Sequence, residues 1–110
     1  MTQRLFVYGT LAPGQPNAHE LADIQGEWEP ATVRGQLFPE GWGAAIGYPA
    51  IVLDDHGPEV EGFLFTTDGL SQHWDRLDEF EGEGYDRVLT AVRLEGGTSV
   101  VAYVYVLRLP

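Results

Sequence analysis

The residue most able to do chemistry in this chain is an acid on an apolar face. Leu70, Trp74 and Leu77 recur at i, i+4 and i+7, the spacing of one buried helix face. The next position on that face is Glu81. At about 100° per residue it projects close to the middle of the stripe, while Glu79 projects to the opposite side. A carboxylate aimed at a core needs partners or a raised pKa, because an unpaired buried charge costs several kcal/mol or more. Such a group is a candidate general base. The alternative is that the helix stops short of it, since Gly82 and Gly84 follow, which leaves Glu81 on a solvated loop.

A second feature is Tyr8-Gly9-Thr10-Leu11, which follows the apolar run Leu5 to Tyr8. A glycine at a strand end lets the backbone turn and present consecutive N–H groups, a nest for carboxylate or phosphate. An ordinary turn explains the same four residues. It is not a P-loop, because no Lys-Ser or Lys-Thr follows Gly14.

The acidic run from Asp78 to Asp86 lacks the alternating ligands and central glycine of a calcium loop. A paired-carboxylate glycosidase would find 110 residues a small scaffold for a sugar cleft. His19, His56 and His73 are isolated and show no metal-ligand spacing, and His56 and His73 read as surface residues. The serines and threonines sit in no nucleophile-elbow context. With no cysteine and no lysine, thiolate and Schiff-base chemistry are excluded.

The surrounding chain must position these groups. Its length predicts one domain, residues 1–110, and 44% hydrophobic residues predict a packed core. A formal charge of -11 argues against nucleic-acid or anionic-membrane partners, so an anionic substrate needs local donors. The same charge would suit an interaction domain with a basic partner. The N-terminal apolar run is too short for a signal peptide, and no run approaches a membrane span. A soluble cytoplasmic protein is the default expectation.

Strands are expected at Leu5 to Tyr8, Thr32 to Phe38, Ala50 to Leu53, Val60 to Thr66, Tyr85 to Leu94 and Thr98 to Leu107. Asn17 is positioned to cap a short helix through His19 to Ala22. Thr67 or Asp68 is positioned to cap a second helix, from about Gly69 to Phe80. Pro39 to Pro49 reads as an irregular glycine-rich loop, and Asp54 to Pro58 as a turn. Gly96-Gly97 signals a hairpin between the last two strands. Val100 to Leu107 is apolar on both faces, which predicts a central strand. The order implies an α+β domain with a curved, largely antiparallel sheet or partly closed barrel.

Taken together, the motifs resemble the gamma-glutamylcyclotransferase-like family. Phe6-Val7-Tyr8-Gly9-Thr10-Leu11, with Gly14 and Asn17 following, is similar to that family's opening motif. Leu77-Asp78-x-x-Glu81-Gly82 and Tyr85-x-Arg87 are similar to its acidic motif. Gly47-Tyr48-Pro49-Ala50 and Glu61-Gly62 resemble its middle section. The likeness is strongest to small bacterial members and to the gamma-glutamylamine cyclotransferase branch. It implies a small mixed, largely antiparallel β-barrel flanked by two main helices.

It also implies an enzyme without metal or cofactor that converts a gamma-glutamyl amide into 5-oxoproline and a free amine. Glu81 is then the catalytic acid and base, and Tyr8 to Leu11 the substrate-binding loop. The Gly9 to Leu11 N–H groups would hold the substrate α-carboxylate. Tyr8, Tyr85 and Tyr105 are candidate hydrogen-bond partners of the substrate. Arg87 is expected to pair with an acid, given 17 carboxylates and six basic residues. The partner is a small molecule. Glutathione, gamma-glutamyl amino acids, gamma-glutamylamines and glutamyl-capped intermediates all share the half that the loop would hold. A non-catalytic binding module of the same fold is the alternative. No residue pattern speaks to oligomeric state.

Overall fold

The computed structural model describes residues 2–9, 14–15, 18–22, 24–38 and 49–108. Six strands, β1 (Gln3–Val7), β2 (Glu27–Phe38), β3 (Ala50–Leu53), β4 (Glu59–Thr67), β5 (Tyr85–Leu94) and β6 (Ser99–Leu107), form one sheet in the order β3-β2-β4-β1-β6-β5. A further β2–β5 pairing, Ala31 opposite Leu94 and Thr32 opposite Arg93, joins the ends. Strands β2, β4, β1, β6 and β5 therefore close into a five-stranded barrel, with β3 paired to the outer half of β2. Only β1 and β6 run parallel, so the barrel is mixed and largely antiparallel. Closure satisfies edges that an open sheet would leave unpaired.

Side chains alternate across the barrel wall. Phe6, Val33, Leu64, Val92 and Val104, from all five barrel strands, meet in one buried cluster, which fills the interior. Their neighbours Leu5, Phe65 and Tyr105 point outward into a second cluster. That cluster also takes Leu21 from α1 (His19–Ala22) and Leu77 from α2 (Trp74–Glu81). Strand β6 lies between β1 and β5, which explains its two apolar faces. The β5–β6 hairpin forms as expected, with Leu94 N–H donating to the Thr98 carbonyl at 2.8 Å.

Three expectations need correction. Strand β2 begins at Glu27, five residues before Thr32, and runs through Pro30. Proline is tolerated there because β5 joins β2 only from Ala31, so the earlier residues are laddered on the β4 side alone. The second helix is split: Leu70–Gln72 is a 3-10 turn, and α2 starts at Trp74 and runs to Glu81 rather than Phe80. Neither Thr67 nor Asp68 caps it; the residue before the 3-10 turn is Gly69, which makes no side-chain cap. Thr67 Oγ1 instead accepts the Gly69 N–H at 3.1 Å and donates to the Gln25 carbonyl, while Asp68 accepts from Thr2 at 3.0 Å. Asn17 and the loop over residues 39–48 lie outside the described residues. No helix among the described residues is long and apolar enough to cross a membrane.

Candidate active site

Helix α2 ends one residue later than its glycines imply, and that residue is Glu81. Gly82 adopts φ 83°, which glycine reaches without strain, and its N–H bonds the Asp78 carbonyl at 3.0 Å. The helix is thereby closed after Glu81, not before it. Trp74, Leu77, Asp78 and Glu81 share one face, with Leu77 fully buried in the outer cluster. Glu79 is exposed, as its spacing predicts.

Glu81 is partly buried, and burial lifts its carboxyl from an ordinary 4.5 to about 7. The helix C-terminus acts in the same direction, since its partial negative charge disfavours a carboxylate. None of the ion pairs among the described residues involves Glu81.

Three tyrosines from three barrel strands or their ends meet around this acid. The Tyr8 hydroxyl donates to the Tyr105 carbonyl at 2.6 Å and accepts the Ile51 N–H at 3.1 Å. The Tyr85 hydroxyl donates to the Pro49 carbonyl at 2.6 Å. The Tyr105 hydroxyl donates to Asp78 Oδ1 at 2.7 Å. Burial pushes the Tyr8 phenol far above its ordinary range, and the nearby Tyr85 and Glu81 add to the effect. Tyr105 is raised too, by burial first, then by Asp78 and Glu81. Both phenols stay protonated at any physiological pH and act as fixed dipoles, not bases.

Arg87 pairs with an acid as expected, Nε lying 3.1 Å from Asp78 Oδ1. Its guanidinium also lies 4.2 Å from the Trp74 ring centre and 5.1 Å from that of Tyr103. Trp74 is thus engaged with Arg87 and, edge-on at 4.9 Å, with Tyr103.

Gly9 follows Tyr8 just beyond β1, and its Cα backs onto the Pro49 ring: a Cβ there would lie 3.6 Å from Pro49 Cγ. That is ordinary van der Waals distance, and its φ is not positive, so neither crowding nor a left-handed turn requires glycine here. Thr10 and Leu11 lie outside the described residues. A cleft of about 880 Å³ opens beside Tyr8, Gly9 and Pro49 and runs over Phe63 toward Glu61 and Glu95; Glu81, Tyr85 and Tyr105 lie outside its lining. The structure thus brings Glu81, Tyr8, Tyr85 and Tyr105 together, with Gly9 next to Tyr8. Sequence reasoning missed Asp78 as a partner of Tyr105 and the Ile51 N–H as a partner of Tyr8. The first was accessible from its helix face, three residues before Glu81; the second depends on a long-range packing that spacing does not carry. His56 is exposed and His73 half-buried, and no cluster of potential metal ligands occurs among the described residues.

A closed mixed barrel of five strands, with a partly buried acid of raised pKa delivered by a helix end, defines a recognisable class. Residues 5–110 match the family described as gamma-glutamyl cyclotransferase, AIG2-like, and the chain belongs to that family. It is 31% identical over 107 residues to the gamma-L-glutamyl-butirosin B gamma-glutamyl cyclotransferase of Niallia circulans, a match covering 92% of this chain and 65% of that protein. The crystal structure of YkqA from Bacillus subtilis superposes with a TM-score of 0.74 at 31% identity, over 99% of this chain and 37% of that one. An aig2-like protein from Mus musculus gives 0.78 at 28% identity, over 99% and 80%. The chain therefore spans under two thirds of the butirosin enzyme and little over a third of YkqA.

Proposed function

We propose that this protein is a gamma-glutamyl cyclotransferase in which Glu81 moves the protons. The observation that carries the reading is one carboxyl raised to about 7 by burial, beside Tyr8 and the strand end that leads into the glycine loop. Family membership supports the reaction class.

The chemistry needs no enzyme nucleophile. The substrate's α-amine attacks its own γ-carbonyl carbon, a C–N bond closes the five-membered ring, and the amide C–N bond to the departing amine breaks. The α-nitrogen arrives as an ammonium and ends as a lactam N–H, so it releases two protons. The departing nitrogen starts as an amide N–H and ends as an ammonium, so it gains two. Glu81 takes each proton from the first nitrogen and gives it to the second. A shuttle must accept and release at the same pH, and a pKa near neutrality allows both. The backbone N–H groups of Gly9, Thr10 and Leu11 would hold the α-carboxylate, and Tyr8, Tyr85 and Tyr105 would wall the ring-closing conformation. Positioning of this kind supplies several kcal/mol. The cleft beyond Gly9 has room for the part of the substrate past the amide.

The test is incubation with glutathione, gamma-glutamyl-alanine, gamma-glutamyl-butylamine and ε-(gamma-glutamyl)-lysine, followed by mass spectrometry. At least one is expected to yield 5-oxoproline and its amine in equal amounts. Saturable binding of these compounds with no product in a single-turnover assay would instead support a binding module on the same fold.

A further inference from the structure

Asp78 and Arg87 take no part in the proton transfers above, yet the structure spends four contacts on them. One carboxylate oxygen, Asp78 Oδ1, accepts from the Tyr105 hydroxyl on β6 and forms an ion pair with Arg87 Nε on β5 at 3.1 Å. Arg87 and Tyr105 are direct cross-strand partners in the β5–β6 ladder. Two neighbouring strands therefore grip one atom of α2. Arg87 also lies over Trp74, one helical turn before Asp78, and Trp74 packs edge-on against Tyr103. The helix is held at positions 74 and 78, and the next position on that face is Glu81.

We propose that the Asp78–Arg87 pair is a positioning device that seats the last turn of α2 against the barrel and thereby sets the place and burial of Glu81. This rests on the reading of Glu81 as the proton shuttle. Helix α2 has only eight residues, too few to hold its shape without tertiary anchors. Leu77 is its one fully buried side chain. Without the grip on Asp78, Trp74 and Leu77 would still anchor the start and middle of the helix, but its last turn would be free to pivot. A solvent-exposed ion pair contributes little on its own. Here the Arg87 side chain is 25% exposed, its ion-pair partner oxygen also accepts from a tyrosine hydroxyl, and its guanidinium carbon lies 4.2 Å from the centre of the Trp74 ring. Stacking and a fixed donor fork suit arginine at this place better than lysine. Among the described residues, the titratable groups around Glu81 from other elements are Tyr8, Tyr85 and Tyr105, and burial keeps the Tyr8 and Tyr105 phenols protonated near neutrality.

The test compares wild type with D78A, D78N, R87M and R87K on the best substrate of the four-compound panel. It also follows the Glu81 side-chain carboxyl by 13C NMR titration, assigned with E81Q. For D78A and R87M we expect kcat to fall about 10- to 100-fold with KM within about twofold. We expect their Glu81 midpoint to move from about 7 toward the ordinary 4.5 as water reaches the carboxyl. D78N keeps an oxygen acceptor and should fall between wild type and D78A. If D78A or R87M does not fold, R87K, which keeps the charge and loses the guanidinium over Trp74, gives the same readings in graded form. A raised KM at unchanged kcat, or an unmoved midpoint in folded variants, would overturn the proposal. If wild type makes no 5-oxoproline, the cyclotransferase reading falls alone; the midpoint needs no turnover and still decides the positioning role.

Discussion

Replacing Glu81 by glutamine should leave the fold intact and lower the rate of 5-oxoproline formation by at least about a hundredfold. Glutamine has the same shape and, like a protonated carboxyl, no charge, so the outer cluster around Leu77 has no reason to rearrange. What it lacks is a site that accepts a proton near neutral pH. Loss of a positioned general acid–base group costs roughly 10²- to 10⁴-fold. One carboxylate serves both ring closure and departure of the amine, so no second group retains half of the function. Steady-state assays of 5-oxoproline release, with circular dichroism to verify the fold, measure this directly. A Glu81→Gln variant with wild-type kcat would exclude the assigned role.

The same substitution should stabilise the protein, and only at high pH. Burial raises the Glu81 pKa from 4.5 to about 7, so the folded chain keeps a proton that the unfolded chain has already released. The contribution of Glu81 to stability is therefore fully present below about pH 4.5 and is lost as pH rises through 7. At about pH 8 the wild-type chain carries a partly desolvated charge, whereas glutamine carries none. After allowance for partial solvent screening, Glu81→Gln should gain roughly 1–3 kcal/mol there and almost nothing at about pH 4. Urea unfolding at the two pH values reads the difference. Equal gains at both, or a loss at pH 8, would show that Glu81 is not disfavoured by burial. Activity lost and stability gained at one position is the pattern expected of a site that holds an acid in an unfavourable place.

Local pattern was enough to predict most strands, because alternation and apolar runs depend on near neighbours. Tyr85 to Leu94 ends where it should, and the two apolar faces of Val100 to Leu107 reflect its place between β1 and β5. Closure of the barrel was less accessible, since it rests on two residue pairs between β2 and β5. Pro30 concealed the first turnless stretch of β2, because proline signals a break unless one strand side is free. At the site, the stripe led to Glu81, which the structure places on the Leu77 side of the helix and partly buried, but the same stripe blurred a 3-10 turn and an α-helix into one element. Leu70 sits on the buried face of either, so periodicity does not separate them. The partners of the tyrosines are backbone carbonyls, an N–H and Asp78, brought from segments far apart in the chain. Such contacts follow from packing, not from composition or spacing.

The central claim is that the acid whose pKa is raised by the fold is the acid that carries the protons. It is tested most directly by measuring kcat/KM between about pH 5 and 9 alongside the 13C titration of Glu81. The account predicts that activity falls on the acid side with an apparent pKa of about 7, coincident with the Glu81 midpoint. An acid limb displaced from that midpoint, or a Glu81 carboxyl that titrates near 4.5, would contradict it.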